Sequence, residues 1–109
     1  AYFQWPDHCI QGSFGSKFDP FLGIPASTVV VQKGFNHTLD SYSAFGGLDF
    51  STGADLYKML TSRNIRRLWV LGVALDFCVQ QSTLDALGQN PGTGRPAPPT
   101  LEHVILVRS

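Results

Sequence analysis

The chain has 109 residues, 43% of them hydrophobic and 15% charged, and its formal net charge is zero. That length allows one domain with a modest core, and the balanced charge leaves no electrostatic footprint for nucleic acid or an anionic membrane. Apolar runs are only strand-length, so none spans a bilayer, and two cysteines, Cys9 and Cys78, are too few for a disulfide framework and fit a reducing, cytoplasmic compartment.

From Ala1 to Ser27 no hydrophobic period is sustained; the stretch is built of aromatics, glycines and prolines, with Trp5-Pro6-Asp7-His8-Cys9 as its densest cluster. Thr28 to Gln32 reads as a strand, apolar on both faces and so interior to a parallel sheet. A loop of Gly, Asn, Ser and aromatic residues runs from Gly34 to about Phe50. Ser51 or Thr52 then caps a predicted helix whose Leu56, Met59, Leu60 and the stem of Arg63 share one face, and Asn64 closes it. Arg67 to Val73 is predicted as a second strand. Val79 to Leu87 is predicted as a second helix, with Val79, Thr83, Ala86 and Leu87 on one face and Gly88 as its stop. Gln89 to Thr100 is a Pro/Gly linker, and His103 to Val107 a third strand.

Strand, helix, strand, helix, strand makes a pair of βαβ units, so an α/β fold with a parallel sheet and right-handed crossovers is expected. Three doubly apolar strands and two helices cannot cover both faces of such a sheet. The chain also starts at Ala1, and its sole methionine, Met59, lies inside a predicted helix. A single, partial domain over residues 1–109 is therefore expected, part of a longer protein. No charged segment followed by an apolar one opens the chain, so no secretory leader is expected.

Sites in open parallel sheets lie beyond the carboxyl ends of the strands. Lys33 leaves the first predicted strand at that edge, and Cys78 lies just past the end of the second, at the start of a helix. Backbone N–H groups at a helix start, and a nearby ammonium, both favour a thiolate, which is the nucleophilic form of cysteine. A lone lysine at a strand end is ordinarily just solvated, and a lone cysteine ordinarily a small core residue; pairing the two makes the catalytic reading the better one. Small Ala74 allows close backbone approach, so the Ala74 and Cys78 amides are candidates for an oxyanion hole. His8 has the chemistry of a metal ligand and Trp5 that of a stacking ring, although one histidine is not a metal site and neither His37 nor His103 is spaced to join it. Cys9, next to His8, reads as structural.

Trp5-Pro6-Asp7-His8-Cys9, Val31-Gln32-Lys33-Gly34, Asp40-Ser41-Tyr42-Ser43-Ala44-Phe45 and Gly72-Val73-Ala74-Leu75-Asp76-Phe77-Cys78-Val79 resemble, in order, motifs of the nicotinamidases, which are isochorismatase-like cysteine hydrolases. The resemblance implies a three-layer α/β/α fold with a parallel Rossmann-like sheet, incomplete here, and hydrolysis of nicotinamide to nicotinate and ammonia in NAD salvage. It implies Cys78 as the nucleophile that forms a thioester, Lys33 as the lysine of a Cys–Lys–Asp triad, and a cis Val73–Ala74 bond that aims the Ala74 and Cys78 amides at the oxyanion. It implies His8 as one ligand of a divalent metal of zinc, iron or manganese type, Trp5 against the pyridine ring, and Tyr42 and Phe77 as pocket walls.

The triad aspartate and the Asp-x-His segment that such enzymes carry upstream have no counterpart in the chain, and Gln89 to Glu102 reads as an insertion. By itself the chain is therefore expected to hold no metal and to be weakly active or inactive. Two other readings stand beside this one: another amide hydrolase of the same superfamily, or a non-catalytic truncated product whose uncovered sheet is an interaction surface. A homo-oligomer is left open by the sequence.

Overall fold

The computed structural model describes residues 6–36 and 41–108. Trp5, His37 and Asp40 lie outside them. The regular elements are helix α1 (Leu56–Ser62), strand β1 (Arg67–Val70), helix α2 (Gln80–Leu87) and strand β2 (His103–Leu106). Single 3-10 turns lie at Phe14–Ser16 and Ala44–Gly46, and a π turn at Leu75–Val79 runs directly into α2.

Helix α1 begins where Asp55 accepts a hydrogen bond from the Lys58 amide at 2.8 Å. This corrects the expected cap at Ser51 or Thr52: Asp49 instead accepts from both the amide and the hydroxyl of Ser51, which holds those residues in a turn ahead of the helix. Met59 and Leu60 are buried on the helix's inner face, as their spacing predicts. Asn64 follows with φ of 52°, a left-handed conformation that asparagine adopts more readily than most residues, and this turns the chain into β1.

Strands β1 and β2 pair in parallel, with Arg67 opposite His103 and Val70 opposite Leu106. With α2 between them they form one βαβ unit, the α/β class the element order predicts, at reduced extent. The pairing starts firmly. Glu102 and His103 both donate backbone hydrogen bonds to the Arg66 carbonyl, and the Arg66 guanidinium lies 2.8 Å from the Glu102 carboxylate. That hydrogen bond, then the charge itself, holds the Glu102 carboxyl below its ordinary value of 4.5. A lowered acid contributes stability that is complete above 4.5 and lost as pH falls through the lower folded value. Glu102→Gln is accordingly expected to lower Tm slightly at neutral pH and to flatten the acid limb of a Tm-against-pH curve by a matching small amount, because both side chains are exposed.

Two predicted strands are corrected. The second ends at Val70 rather than Val73, because Gly72 turns at φ of 123° and carries the chain out of the sheet. The first, Thr28 to Gln32, is not a strand. Only Gln32 pairs, in an antiparallel bridge to Leu48. Among the described residues no strand lies beside Val29–Val31 to complete a ladder, and an apolar sequence without partners on either side has nothing to hold it extended.

The core is small. Phe45, Leu60 and Ala86 are buried together, with Leu56, Tyr57, Ile65, Leu68, Leu101 and Val104 packed against them. Leu68 and Val104 are register partners, so both helices and the Ala44–Gly46 turn cover one face of the sheet. The other face is open among the described residues: Trp69 is 62% exposed, and past the end of β1 Val73 is 91% exposed.

The segment from Gln89 to Thr100 carries no helix or strand, as its prolines and glycines predict, yet it is docked rather than loose. Gly88 closes α2 in the left-handed conformation, where a Cβ would meet the Ala97 nitrogen at 2.9 Å. Pro98 and Asn90 are buried. The fully buried Asp85 carboxylate accepts from the Thr93 hydroxyl, and its second oxygen lies 3.8 Å from the Arg95 guanidinium. Arg95 in turn donates to the Phe45 carbonyl at 3.0 Å.

Candidate active site

Two adjoining cavities meet at Cys78 and Lys33. The larger, about 710 Å³, is lined by Pro6, Asp7, His8, Cys9, Asn36, Ser41, Tyr42, Ala74 and Phe77 besides the thiol and the amine. The smaller, about 300 Å³ and mostly apolar, runs beneath them along β1 and includes Phe45, Leu68, Val79 and Ser82. The larger one falls in the size range of small-molecule sites.

Cys78 is half-buried and unpaired. The helical winding that carries it starts at Leu75, four residues before the predicted start at Val79. The cause is the π register, in which the Val79 amide reaches back to the Ala74 carbonyl at 3.1 Å and the Phe77 amide shares the same acceptor. Cys78 therefore lies inside the first wound turn rather than ahead of it. The Val73–Ala74 peptide bond is cis. Among the described residues the Ala74 N–H makes no hydrogen bond, and Ala74 and Cys78 both line the larger cavity.

Lys33 and Cys78, 45 residues apart in the chain, meet. The Lys33 Nζ lies 3.3 Å from the Cys78 Sγ and donates at 3.1 Å to the Ser41 carbonyl. An ammonium at that distance stabilises negative charge on sulfur. The position of Lys33 follows from the Gln32–Leu48 bridge and from Gly47, where a Cβ would lie 2.7 Å from Val31 Cγ1 and 2.8 Å from the Gln32 carbonyl oxygen. Only glycine permits that approach. Gly47→Ala is expected to displace Gln32 and Lys33 together, destabilising the chain by about 1–3 kcal/mol; thermal unfolding and the rate of Cys78 alkylation would measure both consequences.

Tyr42 and Phe77 form one wall of the larger cavity, with ring centroids 5.8 Å apart and planes tilted by 41°. Trp5 lies outside the described residues. His8 is at the cavity margin, with Nδ1 2.6 Å from the Pro6 carbonyl. A carbonyl only accepts, so this contact calls for a proton on Nδ1, and Nε2 is then the nitrogen that a neutral imidazole would offer to a metal. A metal site needs more ligands, however. Among the described residues no group of three or more His, Cys, Asp or Glu side chains converges, so they do not fit a metal by themselves. Cys9, read from the sequence as structural, is exposed and lines the same cavity as Cys78.

Three contacts around the site are not predicted by the sequence pattern. The Ser41 carbonyl holds the Lys33 amine, the Ser82 hydroxyl accepts from the Ala44 amide at 2.8 Å, and Arg95 holds the Phe45 carbonyl. Only Ser82 left a signal in the sequence, since it follows Cys78 by four residues and so shares its helix face. No helix among the described residues is long and apolar enough to cross a membrane.

Residues 2–90 match the isochorismatase domain profile. The chain is 42% identical to a nicotinamidase of Escherichia coli over 83 residues, which are 76% of this chain and 39% of that enzyme. It is 39% identical to a nicotinamidase of Acinetobacter baylyi over 82 residues, 75% of this chain and 38% of the other. It is 37% identical to a nicotinamidase/pyrazinamidase of Mycobacterium tuberculosis over 84 residues, 77% of this chain and 44% of the other. The chain thus spans about two fifths of the length of these curated relatives. No solved structure matches it.

Proposed function

The chain belongs to the isochorismatase domain family, and on that premise we propose that it carries the thiol–lysine part of a nicotinamidase, a hydrolase that converts nicotinamide to nicotinate and ammonia. The observation that carries the reading is the 3.3 Å contact between the Lys33 ammonium and the Cys78 sulfur, at the edge of a cavity walled by Tyr42 and Phe77. The curated relatives, each named a nicotinamidase, support the substrate. The whole of residues 1–109 is read as one partial domain of that enzyme. The two unpaired cysteines support a cytoplasmic setting.

In this reading the Cys78 thiolate attacks the carboxamide carbon and a C–S bond forms. The carbonyl oxygen becomes anionic and is stabilised by the Ala74 and Cys78 amides. The amide nitrogen takes a proton from the Lys33 ammonium, which lies 3.3 Å from the sulfur, and leaves as ammonia when the C–N bond breaks. Water then cleaves the thioester and nicotinate leaves; of the two protons this step frees, one returns to the Lys33 amine and the other passes to the released ammonia, which restores the thiolate–ammonium pair. Tyr42 and Phe77 offer flat apolar surface to the pyridine ring. The described residues assemble no ligand set for a metal.

Ammonia release from nicotinamide, followed alongside mass spectrometry of the Cys78 peptide, tests the reading. The expected result is a nicotinoyl thioester on Cys78 with turnover slow or undetectable in this chain alone. Ammonia release that persists in Cys78→Ala, or an adduct that forms only on another residue, would overturn it.

A further inference from the structure

Cys78 and Lys33 are joined by more than their own contact. Ser82 lies one helical turn beyond Cys78 on the same face, and its hydroxyl accepts from the Ala44 amide at 2.8 Å. Ala44 opens a 3-10 turn, where a backbone N–H has no acceptor within the turn itself. Three residues upstream of Ala44, the Ser41 carbonyl accepts from Lys33 Nζ at 3.1 Å, and Nζ lies 3.3 Å from Cys78 Sγ. The contacts close a ring that runs from Cys78 along the helix to Ser82, across to Ala44, back to Ser41, and through Lys33 to the sulfur. The cavity beside this ring is otherwise mostly apolar, lined by Phe45, Leu68 and Val79 along with Ser82. A half-buried hydroxyl there needs a hydrogen-bond partner, and it has the Ala44 amide.

We propose that Ser82 is a positioning residue for the Cys78–Lys33 pair: by fixing the Ala44 amide to the nucleophile's own helix, it sets where the Ser41 carbonyl holds the Lys33 ammonium. Lysine's four-carbon stem is flexible, so an amine kept near one sulfur needs an acceptor held in place relative to that sulfur. The inference rests on the reading of Cys78 and Lys33 given above, and it names a residue that touches neither the substrate nor the sulfur.

The test is the second-order rate of Cys78 alkylation by iodoacetamide, in a Cys9→Ser background so that Cys78 is the sole thiol. Circular dichroism on each variant checks that the chain is folded. Loss of one neutral hydrogen bond predicts that Ser82→Ala slows the reaction about three- to tenfold. Ser82→Thr, which keeps the hydroxyl, restores it. In a Lys33→Met background, Ser82→Ala adds nothing further, because its influence passes through the amine. Should Ser82→Ala not fold, Ala44→Pro removes the same hydrogen bond from the donor side; Ser43 ahead of it is already extended, as a residue before proline must be. The same slowing, again absent in the Lys33→Met background, is expected. An unchanged rate on removing the hydrogen bond, or an equal slowing with and without Lys33, overturns the role of Ser82 alone. A Lys33→Met rate equal to that of the parent overturns the thiol–lysine reading, and this inference with it.

Discussion

Lys33→Met is expected to slow alkylation of Cys78 by about tenfold at neutral pH, which corresponds to about 1.4 kcal/mol of charge-assisted interaction between the amine and the sulfur. Methionine keeps most of the length and apolar bulk of the lysine stem, so the substitution removes the charge with little change in packing. The figure sits at the lower end of charge-assisted hydrogen bonds because Lys33 is exposed and solvent screens it. The effect should shrink as salt is raised, which separates an electrostatic origin from a steric one. Rates measured by mass spectrometry of the Cys78 peptide, in low and high salt, decide the matter. A rate indifferent to both the substitution and salt would mean that the 3.3 Å contact carries no chemistry.

The second large effect concerns stability. Phe45→Ala is expected to cost about 3–5 kcal/mol, the usual range for removing a buried phenylalanine. Phe45 is 3% exposed and is buried in one cluster with Leu60 and Ala86 among the described residues, and truncating its ring leaves a gap that these two smaller side chains do not fill. Small domains hold roughly 5–15 kcal/mol in total, so this loss is a large fraction of it. A thermal melt should therefore broaden or lose its cooperativity. Phe45 also lies in the turn whose first amide is held by Ser82 and whose carbonyl is held by Arg95. Losing its ring should release the Ser41 carbonyl with the turn, so that Cys78 alkylation no longer responds to Lys33→Met. Retention of a sharp transition together with that response would show that the turn is held by its hydrogen bonds and not by the core.

Both effects converge on a short stretch that has little periodicity of its own. Residues 41–47 carry a carbonyl for the lysine, an aromatic wall for the cavity, a buried ring for the core and a glycine against Gln32. The contacts that serve the cavity and those that stabilise the chain are therefore the same contacts, and substitutions here should move reactivity and stability together.

Local pattern made several elements legible. The spacing of Leu56, Met59 and Leu60 marked the buried face of α1, and Gly88 marked the end of α2, because a helix repeats every 3.6 residues and left-handed closure favours glycine. The apolar runs around Trp69 and Ile105 marked the two strands, and the order of elements marked their parallel sense. The four motifs marked the family to which residues 2–90 belong. Tertiary structure decided the rest. Whether Thr28–Gln32 forms a strand depends on a neighbour that hydrogen-bonds to it, and no local pattern supplies one. Where the helix before Cys78 starts depended on which amide reaches the Ala74 carbonyl. That a proline- and glycine-rich segment is anchored by the buried Asp85 through Thr93 and Arg95 could not be read from its composition. Nor could the link from Ser82 through Ala44 to the lysine's acceptor, since it joins residues 38 positions apart. A chain's periodicity records which face each residue turns inward; which distant group meets it there is set only when the faces pack.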